Sequence, residues 1–282
     1  MAQSATVVNS ERTRALVIPR EHGAWGLLLV PLVTGACVGF LRGHGLGDLF
    51  LFVAASLALF WLRTPIEILA GSSVMRTHSA EERRTVWQLL VALTVGATVP
   101  LYFLLRGGRH NGLWIIAGIA GAAFATQAGV KLLGRQMRMP AQIIGAIGLT
   151  STAAGAYYIV TNRLSTTAIA LWVVNWLFAG DQIHYVHVRM QGAKVLGARN
   201  RLQRGWVFLL AQVVMFGTVL VICLLGYLHP GVVLAFAPVT IRGMLWVFGT
   251  KPRLDLHWLG ITELLHSITF GVLLITSYYV PR

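Results

Sequence analysis

The sequence predicts an all-α, polytopic membrane protein with nine transmembrane helices, and three observations carry that reading. Apolar stretches long enough to cross a bilayer fill almost the whole chain. Of 282 residues, 56% are hydrophobic and only 11% are charged, with a mean hydropathy of +0.70, a composition that no soluble surface tolerates. The polar links between the stretches carry lysine and arginine mostly on every second link. Because the apolar runs are continuous rather than alternating, a β-barrel is excluded.

The spans in order are 23–41, 47–71, 86–106, 111–130, 140–161, 164–187, 205–228, 229–249 and 258–280. Each has about the 20 residues that a helix rising about 1.5 Å per residue needs to cross about 30 Å of hydrocarbon. The first follows a polar, basic tail, residues 1–22, with no cleavage site, so it is expected to stay in the mature chain as an anchor. Within it, Gly35-Ala-Cys-Val-Gly39 has the spacing of a close-packing pair. The second span is interrupted by Arg63 and Glu67, the sixth by Asp181 and two histidines, and the eighth carries Arg242. The ninth bears Glu263 and His266 on one face, set to line a cavity or to hydrogen-bond a neighbouring helix. Cys37 and Cys223 lie in apolar spans without CxxC spacing and read as small core residues.

No linker divides residues 23–280, which read as one domain. The longest polar links, about residues 72–85 and 188–204, follow the second and sixth spans. Arg20 precedes Glu67 by 47 residues and Arg138 precedes Asp181 by 43, so the spans group as two parallel four-helix pseudo-repeats plus a ninth helix.

Basic residues set the orientation. The tail (Arg12, Arg14, Arg20), the second link (Arg76, Arg83, Arg84), the fourth (Lys131, Arg135, Arg138), the sixth (Arg189, Lys194, Arg199, Arg201, Arg204) and the eighth (Lys251, Arg253) stand against only Arg42, Arg106, Arg109, Arg163 and Arg282 on the other side. That asymmetry places the N-terminus in the cytoplasm and the C-terminus outside the inner membrane. Of the nine acidic residues only Asp48 falls on the outer side, so the polar chemistry is expected to be cytoplasmic. The net charge of +14 fits anchoring against anionic lipid, and equally a face that receives an anionic substrate such as a diphosphate. No basic soluble module is present to bind nucleic acid, and there is no GxxxxGK[ST] or strand-borne GxGxxG loop for a nucleotide.

The stretch Lys131-Leu-Leu-Gly-Arg-Gln-Met-Arg-Met-Pro140-Ala-Gln-Ile-Ile-Gly145 resembles the entry to helix five of the UbiA-type superfamily of intramembrane prenyltransferases. The opening Pro19-Arg-Glu-His-Gly-Ala-Trp-Gly-Leu-Leu-Leu-Val-Pro31 is similar to the YwiC-like branch, and the resemblance covers about residues 17–280. It implies transfer of a prenyl chain from an isoprenoid diphosphate to a lipophilic acceptor in a UbiA-like bundle, with Mg2+ held by NDxxD on helix two and DxxxD on helix six. Here helix two reads Arg63-Thr-Pro-Ile-Glu67-Ile-Leu-Ala-Gly71, with one carboxylate. Helix six reads Asn175-Trp-Leu-Phe-Ala-Gly-Asp181-Gln-Ile-His184-Tyr-Val-His187-Val-Arg189, again with one. Magnesium takes hard oxygen ligands and bridges carboxylates to phosphate, so the resemblance makes Glu67 and Asp181 the expected catalytic and metal-holding residues. Arg63, Arg76, Arg189 and Arg242 are the expected phosphate partners, a planar guanidinium suiting phosphate oxygens. Arg20, His22, His184 and Tyr185 complete the expected substrate-binding set.

Plainer readings stand beside these. Arg63 and Glu67 are four apart on one face, the spacing of an ion pair that neutralises itself. Pro65 between them loosens the backbone and can free carbonyls to line a cavity. Asp181, His184 and Tyr185 share a face by i, i+3, i+4 spacing, with His187 next to His184; this is a candidate zinc or iron set, and also an ordinary interfacial cluster. Glu21 suits the positive end of helix one as a cap. Tyr157, Tyr158, Trp172 and Trp176 fit an apolar tunnel or simple packing. Two other classes fit the same chain: a non-catalytic lipid or quinone binder or assembly factor, and a transporter with Glu67, Asp181 and Glu263 as relay groups. The crowding of these groups toward the cytoplasmic surface favours a headgroup or diphosphate site over a conduit.

Overall fold

The computed structural model describes residues 22–43, 46–71, 77, 79–106, 108, 110–192, 197–248 and 255–279. Arg20, Glu21 and Arg76, and the side chain of His22, lie outside the described residues. All regular structure among the described residues is helical: α1 (His22–Phe40), α2 (Leu46–Leu69), α3 (Ala80–Leu105), α4 (Gly112–Leu132), α5 (Arg138–Thr150), α6 (Thr152–Thr161), α7 (Thr166–Gln191), α8 (Ala198–Leu224), α9 (Val232–Ala235), α10 (Ala237–Phe248) and α11 (Leu256–Ser277). Every expected span contains a helix. Six stretches of described residues are long and apolar enough to cross a membrane: Leu46–Leu69, Ala80–Leu105, Gly112–Leu132, Arg138–Thr161, Arg199–Leu224 and Leu256–Ser277. The first span is short, the 229–249 span is divided by a turn at Phe236, and α7 is long but carries Asn175, Asp181, Gln182, His184, His187 and Arg189.

Large apolar side chains face outward over these helices. On α8, Trp206, Leu210, Val213, Val214, Val221 and Leu224 are exposed while Phe208, Gln212, Met215 and Val219 are buried. A helix that is apolar on its outer face as well as its inner one belongs in lipid, and the chain is a helical membrane protein.

The described residues form two compact units, the first within 46–110 and the second within 23–43 and 111–279. In unit 1, α2 and α3 form a helical hairpin: Ile68 packs on Val86, and Ala58 lies 3.7 Å from where a side chain on Gly96 would begin. Ser79 caps α3 by accepting from the Glu82 amide (3.1 Å), with Glu81 and Glu82 at the positive helix end. At the other end of the hairpin His110 Nε2 meets Asp48 Oδ2 at 3.0 Å.

In unit 2, α7 is the central helix. The α5 helix runs antiparallel to it, fastened by the Trp176 and Trp172 indoles, which donate to the carbonyls of Ile143 (3.0 Å) and Ile147 (2.9 Å). These two tryptophans therefore pin helices together. The break between α5 and α6 follows from three consecutive hydroxyls: Thr150 donates to Ala146 O, Ser151 to Gly148 O and Thr152 to Leu149 O, each bending the helix toward its own preceding turn. Thr152 also reaches Leu28 O of α1 (3.1 Å). The close-packing pair expected in α1 is present: a Cβ on Gly35 would lie 2.1 Å from Ala153 O, and one on Gly39 would lie 3.1 Å from Val160 Cβ. Only glycine lets the two backbones approach this way.

Candidate functional site

The polar face of α7 is turned into unit 2, and its residues at i, i+4, i+8 are Asp181, Tyr185 and Arg189, all buried. The helix continues to Gln191, beyond the expected end at 187, so Asp181 lies ten residues inside it, about 15 Å at the α-helical rise. Glu263 lies seven residues inside α11, about 10 Å. Both helices extend past the ends read from hydropathy, so neither acid sits in a terminal turn.

Arg242, in the middle of the short helix α10, joins them. Its Nη2 donates to Asp181 Oδ2 (2.7 Å) and its Nη1 to Glu263 Oε2, while its guanidinium carbon sits 4.0 Å from the centroid of the Tyr185 ring. Two charge-assisted hydrogen bonds and a cation–π contact hold one buried cation between two buried carboxylates. Amides brace the arrangement. Gln212 Nε2 of α8 donates to Asp181 Oδ1 (3.0 Å) and to Val239 O (3.2 Å). Gln182 Nε2 donates to Glu263 O (2.8 Å) and to Ser267 Oγ (2.9 Å), tying α7 to α11. Four helices thus converge on one polar point in an apolar bundle, and an ionised cluster of this kind demands complete partnering.

Partnering is incomplete at three atoms. Glu263 Oε1, Arg242 Nε and Arg189 Nε are buried without a hydrogen-bond partner. Arg189 stands close enough to Tyr185 and Glu263 to act on both electrostatically. The cluster therefore offers one spare acceptor and two spare donors.

That donor set does not fit magnesium. Both Asp181 oxygens accept from nitrogen donors, and the guanidinium of Arg242 stands between the two carboxylates that a cation would need to bridge. Arg242 correspondingly departs from the expected phosphate clamp, since two of its nitrogens are committed to carboxylates. Among the described residues, no three His, Cys, Asp or Glu side chains come together to hold a metal ion. His184 instead presents its ring edge-on to Phe208 (5.2 Å between centroids, 86° between planes), and His187 Nε2 lies 2.8 Å from Gln191 Nε2.

The second expected acid, Glu67, belongs to unit 1, where Arg63 Nε meets its Oε1 at 2.8 Å in the i, i+4 pair that the spacing predicts; α2 runs through Pro65 to Leu69. Each of the two acids thus has its own arginine. Tyr157 accepts from Arg42 Nη1 (3.4 Å) and Tyr158 accepts from the Gly112 amide (3.0 Å). The sequence analysis offered Glu263 as a cavity-lining, helix-bonding or relay group rather than as a partner of Arg242, and it passed over Gln212, Gln182 and Ser267. A signal existed for Gln212: it is the single side-chain amide in the apolar run from Trp206 to Leu225.

The profile of the YwiC-like protein family matches residues 18–158, half of the chain. The match takes in α1 to α5 and most of α6, with Arg63 and Glu67, and stops before the cluster on α7, α8, α10 and α11. No curated protein and no solved structure matches the chain.

Proposed function

The chain belongs to the YwiC-like protein family, and from that premise we propose that this membrane protein binds the polar head of a lipophilic molecule at the Asp181, Arg242 and Glu263 cluster. One observation carries the reading: the buried Glu263 Oε1 acceptor beside the buried Nε donors of Arg242 and Arg189. A hydroxyl-bearing head, as in a hydroquinone or a prenyl alcohol, matches it, because a hydroxyl donates to the carboxylate oxygen and accepts from a guanidinium N–H. Its apolar remainder is at home among the helices and lipid. Binding by Arg and Glu alone needs no divalent cation. The basic residues of the links put the N-terminus in the cytoplasm of the inner membrane in this reading.

Prenyl transfer from an isoprenoid diphosphate to a lipophilic acceptor, which the UbiA-like resemblance implies, is a second reading. The observation in its favour is the spare, buried Arg189 guanidinium nitrogen, suited to a phosphate oxygen. Purified full-length protein in detergent separates the two readings by titration with a short-chain hydroquinone, farnesol and farnesyl diphosphate, each with magnesium and with chelator. The expected result is saturable binding of a hydroxyl-bearing ligand that ignores the chelator and weakens at least about tenfold in Glu263→Gln, the scale of one charge-assisted hydrogen bond. Binding confined to farnesyl diphosphate and lost in chelator would overturn the proposal in favour of the second reading.

A further inference from the structure

At the other end of unit 2, far from the cluster, His229 and Tyr278 form a pair of buried polar groups that the proposed function does not use. Thr167, fourteen residues before Asp181 on α7, marks this end, as does Tyr278, fifteen residues after Glu263; both counts give about 20 Å along a helix. His229 is fixed on three sides. Its carbonyl accepts from the Val232 amide (3.0 Å) and from Cys223 Sγ (3.5 Å), and its Nδ1 accepts from the Gly231 amide (3.2 Å). An Nδ1 that accepts leaves the proton on Nε2, so Nε2–H is a donor. The residue is 9% exposed, and Nε2 is buried with no hydrogen-bond partner. The Tyr278 ring lies 6.0 Å from the imidazole between centroids, and its buried hydroxyl, set against the His229 backbone amide, has no acceptor for its proton.

Two neighbouring buried donors without acceptors are costly, because neither regains the hydrogen bond it gave up to water. We infer that His229 and Tyr278 form a second ligand site that receives a carbonyl oxygen of a lipophilic molecule. A carbonyl oxygen has two lone pairs and no proton, so one atom can accept from both donors. The pair supplies no charge, since His229 is neutral in this tautomer and Arg42, the nearby cation, spends its Nη1 on Tyr157 and on Thr167 (3.4 Å each). The acceptor is therefore a neutral carbonyl rather than a phosphate. Two sources share that chemistry, the acyl ester of a bilayer phospholipid and the carbonyl of a quinone-type head. The site does not depend on the cluster at the opposite end.

The test reconstitutes the full chain and its Tyr278→Phe and His229→Phe variants into three bilayers: ester-linked phosphatidylcholine, its ether-linked analogue, and the ether-linked analogue with a short-chain quinone. Tyr278→Phe keeps the ring and removes only the hydroxyl, so it preserves the packing. If lipid ester is the acceptor, the midpoint of thermal unfolding falls in Tyr278→Phe relative to wild type in ester bilayers, and the gap closes in ether bilayers. If a quinone is the acceptor, the gap opens only on quinone addition, with a carbonyl infrared band shifted to lower frequency in wild type and unshifted in both variants. The same gap in all three bilayers overturns the inference, because the donors are then satisfied without any carbonyl.

Discussion

Replacing Arg242 with methionine leaves Asp181 and Glu263 buried as like charges with their shared cation removed. The structure sets the scale of the loss: two charge-assisted hydrogen bonds at about 1.5–3 kcal/mol each and one cation–π contact at about 0.5–2 kcal/mol, in accord with about 3–5 kcal/mol for stripping one partner from a buried pair. Taking about 4 kcal/mol, and about 2–4 °C per kcal/mol, the midpoint of thermal unfolding falls by about 10 °C. The assay is unfolding of purified protein in one detergent at a fixed scan rate, since irreversible unfolding makes the midpoint rate-dependent. The companion is the triple variant Asp181→Leu, Arg242→Met, Glu263→Met, in which no charge is left to be unpaired. Apolar replacement of a whole buried ionic cluster is neutral to stabilising in general, so the triple variant is expected to recover most of the loss. A triple variant as damaged as Arg242→Met would refute the electrostatic account and leave shape complementarity as the cause. A single variant with an unchanged midpoint would refute the burial of the pair.

Gln212→Met keeps length and shape but leaves Asp181 Oδ1 without its donor, and should cost about 1–3 kcal/mol in the same unfolding assay. Gly35→Val should reduce the yield of folded, monodisperse protein sharply, because its Cβ would overlap the Ala153 carbonyl, whereas Gly217→Ala, with nothing within 4 Å, should leave the yield unchanged; size-exclusion profiles of the two compare them directly.

The helices were legible because lipid makes one demand on every span, a long apolar run, and all nine expected stretches contain one or two of the observed helices. Their status as crossings was less legible. The run 229–249 hides a turn at Phe236, announced only by Pro238 in the first turn of the helix that follows, and α7 carries polar residues that hydropathy treats as a defect, although the fold turns them inward. The small-residue pair of α1 and the Arg63 and Glu67 pair of α2 were legible because their partners sit within a few residues or are selected by size alone. The cluster was only half legible. Asp181, Arg242 and Glu263 each stood out singly as charges in apolar segments, yet their union depends on contacts 61 and 21 residues apart in sequence. Periodicity along one helix says nothing about such contacts.

The separation of 61 residues between Asp181 and Arg242 also sets a clock for biogenesis. At about 5–20 residues per second, ribosomal synthesis delivers the guanidinium roughly 3–12 s after the aspartate leaves the exit tunnel, and Glu263 arrives about 1–4 s later still. Throughout that interval Asp181, in a helix that also carries Asn175, Gln182, His184, His187 and Arg189, faces the translocation machinery with its counterion unmade. Truncation before Glu263 should therefore expose the nascent protein to quality-control proteolysis even though every earlier hydrophobic segment is intact.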